Sequence, residues 1–428
     1  MLGKIDSRAM RGMNRTLLLE MIRRETTVSR TDLARRSALT KPTVSAIVDA
    51  LLEEGLVREV GFGTAPSRKG RKSRLLELNE ESAAFLGLHF GVRHTTLAIA
   101  NARGHIRAVR KTESFRGEPG RAVSALGPLV IEAFREAKLS RSCLKAAGVA
   151  VPGLIDQASG TCVLAPNLRW YDFPLGETLA NALGVPVVVH NIAQAAAIAE
   201  GRLGAARAAR SYVWVYVGSG VGAAIVLDGH ILYGKHGYSG EIGHCAVMDG
   251  GPRCGCGRNG CLETVASGTA IETAAKKAFE HEVTKAAKGA RGALDAHAVA
   301  ILAREGNQIA RQIFADVGEH LGVGISYLIN LLNPELIVLG GRVIQAGDCL
   351  MDPIRASVAK YAIYAQGIPI VASTVGDDIM LKGAVLLAME SVYPDDPSQG
   401  ESNSAPPSLE RRSVVPTRDG ASASANDK

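Results

Sequence analysis

The sequence predicts a small helical unit closed by a β-hairpin, followed by a much larger α/β domain of two lobes. Three observations carry that reading. The first 80 residues place three short amphipathic helices ahead of a basic hairpin; from residue 84 apolar strand-like runs alternate with helical stretches; and three cysteines crowd into residues 254–261. With 428 residues and 46% apolar content, the chain is long enough for two or three packed domains.

In the N-terminal unit, residues 14–24 put Leu17, Leu18, Met21 and Ile22 on one helical face. The run Ser29-Arg-Thr-Asp-Leu-Ala-Arg-Arg-Ser37 carries capping groups for a second short helix, and a turn follows at Ala38-Leu39. Thr40-Lys-Pro-Thr43 is a capped start with proline in the first turn, after which Val44, Ile47, Val48, Leu51 and Leu52 repeat at helical spacing to Gly55. That apolar stripe docks the third helix and leaves Lys41, Thr43, Ser45 and Ala46 facing outward. Small polar groups there can reach base edges in a major groove.

Residues 56–60, a turn at Gly61 and Gly63, and residues 71–78 then form a hairpin whose basic positions are Arg68, Lys69, Arg71, Lys72 and Arg74. Such a hairpin is suited to phosphate or a minor groove as a wing. Charge location agrees: residues 1–80 hold 16 Lys/Arg against 10 Asp/Glu, leaving 33 against 32 elsewhere, although the whole chain is +7. The expected partner is double-stranded operator DNA.

The α/β domain shows strand patterns at residues 85–90, 147–151, 185–190, 212–217 and 335–340. About 310 residues of this texture imply two lobes with a ligand cleft between them. Gly218-Ser-Gly-Val-Gly222 follows a strand and reads either as a tight turn or as a loop whose N–H groups cradle a polar ligand.

His244 with Cys254, Cys256 and Cys261 supplies an imidazole and three thiolates, a complete tetrahedral set for zinc, and the intervening glycines let a short loop wrap one ion. With four protein ligands the metal is structural. The second imidazole nitrogen stays free to meet a ligand hydroxyl. Glu241 and Glu263 ride on the same segment and are suitable acceptors for paired sugar hydroxyls.

These residues resemble a known signature. Glu241-Ile-Gly-His244 followed by Cys-Gly-Cys-Gly-Arg-Asn-Gly-Cys-Leu-Glu263, together with Pro166-Asn167, the Gly218 loop and Asn333-Pro-Glu-Leu-Ile-Val-Leu-Gly-Gly341, is similar to the ROK family, which groups repressors with sugar kinases. The N-terminal unit places the resemblance in its repressor branch, with repressors of xylose and N-acetylglucosamine genes. The resemblance implies an actin-like, hexokinase-type two-lobed fold, a structural zinc, and a homodimer or homotetramer. By position it implies sugar contacts at Gly153, Asn167, Asn191, Glu241, His244 and Glu263.

Two departures from the kinases matter. Their first lobe opens on an Asp-containing turn for phosphate and magnesium, where this chain reads His89-Phe-Gly-Val-Arg-His-Thr95. Their sugar-binding asparagine precedes a catalytic aspartate, whereas Asn191 precedes Ile192. Without a base or a metal-binding carboxylate, phosphoryl transfer has no support.

The expectation is therefore a winged helix-turn-helix unit over residues 1–80, a sugar-sensing ROK domain over 81–393 without kinase activity, and a disordered tail over 394–428. Such a protein regulates carbohydrate uptake or catabolism genes, xylose metabolism among them, as a repressor released by its small-molecule sugar. Two alternatives stay open: an active sugar kinase with an accessory DNA-binding unit, and a repressor answering to a phosphorylated ligand or a protein. No signal peptide or membrane span is apparent, so the expected compartment is the cytoplasm.

Overall fold

A computed structural model describes residues 7–62, 73–279 and 295–393. The N-terminal unit runs α1 (Ser7–Arg24), β1 (Val28–Ser29), α2 (Arg30–Ser37), α3 (Lys41–Glu53), β2 (Val57–Phe62) and β3 (Arg74–Leu78), with the strands ordered β1-β3-β2. Ser29 caps α2 by accepting the Asp32 N–H at 3.1 Å, and Ala38 ends it with φ 56°, the left-handed turn of a helix-turn-helix. Thr40 caps α3, and Val44, Val48 and Leu51 are fully buried against Leu18, Ile22 and Leu33.

One detail of the predicted stripe differs: Leu17 is exposed and Leu19 is buried in its place. Adjacent helical positions lie about 100° apart, so three consecutive leucines leave the edge of the buried face undetermined by period alone. The predicted wing residues Arg68, Lys69, Arg71 and Lys72, with Gly63, fall outside the described residues, as does the predicted tail over 394–428.

The first lobe contains β4 (Ala84–Phe90), β5 (His94–Asn101), β6 (Ile106–Glu113), α4 (Pro119–Ser124), α5 (Leu126–Ala137) and β7 (Leu144–Val151). A small sheet of β8 (Leu154–Asp156), β9 (Thr161–Ala165) and β10 (Trp170–Phe173) follows, then α6 (Leu175–Leu183), β11 (Val187–Asn191) and α7 (Ile192–Leu203).

The second lobe has β12 (Tyr212–Val217), β13 (Val221–Leu227), β14 (His230–Ile231), α8 (Leu262–Ala266), α9 (Gly268–Phe279), α10 (Ala296–Arg304), α11 (Gln308–Leu332), β15 (Leu336–Gly340), α12 (Asp348–Tyr361), β16 (Ile370–Ala372) and α13 (Ile379–Val392).

The two main sheets have the same winding. Their orders are β11-β7-β4-β5-β6 and β14-β13-β12-β15-β16: in each, an antiparallel three-strand meander is extended by two parallel strands on its first member. Each lobe then lends its last helix to the other. α7 follows the first-lobe strand β11 yet packs on β12 and β13, while α13 follows the second-lobe strand β16 yet packs on β4 and β7. The two helices cross where a Cβ on Gly383 would overlap the carbonyl oxygen of Ala195, and α13 settles on β7 where a Cβ on Gly148 would overlap that of Ala384. Glycine at both points permits backbone-to-backbone approach.

The N-terminal unit is not strung on a linker. One buried cluster contains Leu18, Ile22, Val44 and Leu51 together with Phe85 of β4 and Val385, Ala388 and Met389 of α13. Beside it, Arg103 on the β5–β6 turn donates from Nη1 to the carbonyls of Arg23 (2.8 Å) and Glu25 (3.0 Å) and from Nε to Glu80 (3.0 Å). A guanidinium there satisfies carbonyls left orphaned at the end of α1 and complements its dipole.

Candidate functional site

Lys41 and Ala46 are exposed and Thr43 and Ser45 half-buried. Thr43 also serves the helix start, its hydroxyl 2.8 Å from that of Thr40. Arg74 opens β3 and is paired with Glu59, which also meets Arg30, so its charge is partly committed within the unit.

Between the lobes lies a cleft of about 510 Å³ lined by Gly153, Tyr238, Glu241, His244 and Arg258 among others. Glu241 precedes a short 3₁₀ turn, Ile242–His244, whose Ile242 and Gly243 are buried against the second lobe. That turn aims the Glu241 carboxylate and the His244 ring at the same opening. Burial pushes the Glu241 carboxyl up from its ordinary value, with His244 pulling it down and Glu263 pushing it up. The three side chains thus share one electrostatic neighbourhood.

Asn191 caps α7: Oδ1 accepts the Ala193 N–H and Nδ2 donates to Gly153 O, both at 2.7 Å. It therefore fixes the Gly153 edge of the cleft while keeping a spare proton and lone pair. Glu263, in the first turn of α8, accepts the Val221 N–H at 3.2 Å, and a Cβ on Gly220 would overlap its carboxylate. The Gly218–Gly220 stretch is a hairpin turn between β12 and β13, closed by Gly218 N–H to Gly220 O at 2.9 Å. Asn167 is exposed on the turn joining β9 to β10, with Pro166 rather than Asn167 among the cleft-lining residues.

Sequence reasoning missed Tyr238 and Arg258. Arg258 was visible inside the cysteine motif, but nothing in the spacing says that it faces the cleft. Tyr238 lies in an irregular loop that carries no period.

His244, Cys254, Cys256 and Cys261 converge, their ligand atoms all within 4.8 Å of one another. His244 Nδ1 is 3.5 Å from Cys254 Sγ, and the Cys256 and Cys261 sulfurs are 3.7 Å apart. Sulfurs about 2.3 Å from a tetrahedral zinc stand about 3.8 Å from each other, so the donor set fits that ion. A tight knuckle, Cys254 N–H to Arg258 O at 2.7 Å with Gly257 at φ 89°, brings the thiols together. The Arg258 backbone N–H favours the Cys256 thiolate, whereas burial and the neighbouring thiols push Cys261 up. With Nδ1 turned to the sulfurs, Nε2 is left for the cleft.

His89 lies at the end of β4, and Ile192 is the first residue of α7. Burial pushes the His89 imidazole down to about 4, so at neutral pH it is uncharged.

The ROK family model matches residues 85–391, and the MarR family model, a DNA-binding unit, matches residues 12–64. A putative xylose repressor from Caldicellulosiruptor sp. (strain Rt8B.4) is 31% identical over 392 residues, spanning 90% of this chain and 97% of the relative. The crystal structure of a ROK family transcriptional regulator, a homologue of the E. coli MLC protein, superposes with TM-score 0.77 at 28% identity, over 90% of this chain and 97% of its own. A ROK family glucokinase from Streptomyces griseus, in complex with glucose and AMPPNP, superposes with TM-score 0.63 at 28% identity over 72% of this chain and all of its own.

Proposed function

The chain belongs to the ROK family, and from that premise we propose that it is a sugar-responsive transcriptional repressor of carbohydrate uptake or catabolism genes that has no kinase activity. The observation that carries this reading is the single buried core joining the DNA-reading helices to β4 and α13. Because α13 packs on β4 and β7 and against α7, the helix that itself rests on the second-lobe strands, lobe closure has a packed route to the reader.

A sugar entering the cleft meets Glu241, His244 and Asn191, with Gly153 and Glu263 shaping the floor and Asn167 at the rim. His244, Cys254, Cys256 and Cys261 would hold a zinc ion, which would supply no reaction here but would fix the loop that presents the imidazole. Lys41, Thr43, Ser45 and Ala46 face base edges and Arg74 faces phosphate, with two copies reading paired half-sites. Sugar acts through its different affinity for the closed and open arrangements. The absence of kinase activity rests on His89 and Ile192, and the closeness of regulators such as the xylose repressor supports it.

No helix of the described residues is long and apolar enough to cross a membrane, and the reading requires none. Fluorescence anisotropy on the gene's own upstream DNA, with a panel of pentoses, hexoses and N-acetylated sugars, tests the proposal. Tight binding that falls steeply with salt and is relieved by one sugar is expected. ATP-dependent sugar phosphorylation well above a buffer control would overturn it, and relief by sugar phosphates alone would reassign the effector.

A further inference from the structure

Gln194, the third residue of α7, is buried, and both halves of its amide are used. Oε1 accepts the backbone N–H of Asn191 (3.3 Å) and the Nε2–H of Gln157 (2.6 Å), a residue on the turn between β8 and β9. Nε2 donates to the carbonyl oxygen of Gly237 at 3.4 Å. The acceptor half thus serves the first lobe and the donor half a loop of the second.

Capping α7 accounts for the acceptor half alone. A capping box takes Glu as readily as Gln at this position, and a carboxylate in the first turn suits the helix dipole. An ionised glutamate has no proton for Gly237. The amide is needed where the helix start must also hold a second stretch of chain.

Gly237 belongs to a strap, residues 233–240, that follows β14 and leads directly into Glu241. The middle of the strap lies on the first lobe. A Cβ on Gly237, whose φ is 81°, would overlap the carbonyl oxygen of Ile155 in β8. The Tyr233 ring meets the buried His190 ring of β11 edge-on, 5.4 Å between centroids. The end of the strap lies on the second lobe, where Gly240 O accepts the Ala223 N–H of β13 at 2.8 Å. Tyr238 sits between these anchors and Glu241 just beyond them, and both line the cleft. The approach of the strap to the first lobe therefore fixes where both side chains stand.

We propose that Gln194 is a positioning residue for the sugar site: by holding Asn191 and the strap at once, it sets the spacing between the first-lobe and second-lobe groups that grip the sugar. The assignment rests on the sugar-binding reading above. Gln194 is not among the residues lining the cleft, so it acts through Asn191, Tyr238 and Glu241.

Two variants break the link from its two ends. Gln194→Glu keeps the helix cap and loses the proton offered to Gly237; Gly237→Ala keeps the amide and drives the strap off Ile155. Lys235→Ala, at an exposed position of the same strap, is expected to match wild type in every measurement. Hydrogen exchange on the full-length protein without sugar reads the geometry alone. Residues 233–240 are expected to exchange about tenfold faster in both variants, with the start of α7 unchanged. A strap as protected as in wild type would overturn the assignment. So would an α7 start that opens as far as the strap in Gln194→Glu, because the residue would then be a cap and nothing more.

Isothermal titration with the tightest binder among D-xylose, D-glucose and N-acetylglucosamine reads the consequence for binding. Both variants should weaken the sugar about tenfold or more while operator affinity without sugar stays within about threefold of wild type, a split that general destabilisation does not produce. If Gln194→Glu has lost its fold and binds no operator, Gly237→Ala decides alone. Wild-type sugar affinity in a folded variant would overturn the positioning role and leave the sugar-sensing reading intact. If wild type binds none of a wider sugar panel, the positioning role falls with that reading.

Discussion

The side-chain amide of Asn191 donates to the carbonyl oxygen of Gly153 at 2.7 Å, tying the first turn of α7 to the edge of the inter-lobe cleft. The same side chain caps the helix through Ala193 N–H, so it holds two backbones together where β11 passes into α7.

Asn191→Ala removes a cap, costing about 1 kcal/mol, and leaves the Gly153 carbonyl unpaired. Asn191→Asp keeps the capping acceptor but has no proton to donate when ionised. Both variants should lose the sugar-induced rise in melting temperature, with Asp the more stable of the two. A full sugar response in either would remove Asn191 from the ligand contacts.

Arg103 is the polar bolt between reader and first lobe. Arg103→Ala leaves two carbonyls at the end of α1 unsatisfied by the protein and should cost roughly 2 kcal/mol in urea melts. Lysine cannot span Glu80 and both carbonyls from one ammonium, so Arg103→Lys should recover little of that loss. Operator affinity without sugar should stay within a few fold of wild type while the response to sugar flattens. Retention of the full response would place the coupling in the apolar core alone.

What the sequence discloses follows the range of the interactions. The caps at Ser29 and Thr40, the stripe of α3 and the four candidate metal ligands are local patterns, and the structure has them where the spacing puts them. The exchange of α7 and α13 between lobes is a matter of long-range packing, to which no periodicity points. Glu241 and His244 were legible because an imidazole three residues after a carboxylate, ahead of three clustered thiols, has a chemistry readable from spacing. Tyr238 and Arg258 were not, because facing a cleft is a property of the folded loop. Leu17 and Leu19 show the limit at short range, where three adjacent leucines leave the rotation of α1 open by one position.

Cys256→Ser tests the metal. Its sulfur lies 3.7 Å from that of Cys261 and is exposed, so serine disturbs no core packing. Purified wild type should carry about one zinc per chain, as four ligands in one cluster allow. The variant should carry far less, by plasma mass spectrometry, and should melt earlier. Metal-free wild type with an undiminished sugar response would show that the loop is held without an ion.

Burial pushes His190 and His89 down to about 4, from an ordinary value of 6.5. Each is neutral in the folded protein at pH values where the unfolded chain takes up a proton. Stability is therefore full above about pH 6.5 and declines as pH falls toward 4, by about 1.4 kcal/mol per pH unit for each histidine. His190 Nδ1 has no hydrogen-bond partner, so His190→Leu forfeits no bond there. The variant should lose one histidine's share of the slope between pH 6.5 and 5 in urea melts; an unchanged slope would assign the acid sensitivity to other groups.

Gly383→Ala bears on how the lobes move the reader. The new methyl group would strike the backbone carbonyl of Ala195, not the end of a flexible side chain, so relief requires α13 or α7 to shift as a whole. Overpacking of this kind costs about 1–3 kcal/mol. On the same helix Val385, Ala388 and Met389 share the buried cluster with Leu18 and Ile22 of the reader, so displacing α13 displaces the floor on which the DNA-reading helices rest. The substitution should therefore lower the urea midpoint, change operator affinity without touching DNA, and weaken the sugar response. Gly120→Ala, on α4 where a Cβ meets nothing within 4 Å, separates this from a general helix effect, because it should be neutral or stabilising by up to about 1 kcal/mol. If Gly383→Ala lowers stability but leaves both operator affinity and the sugar response at wild-type values, then α13 carries load without carrying signal, and the route from cleft to reader runs instead through Arg103 and the β5–β6 turn.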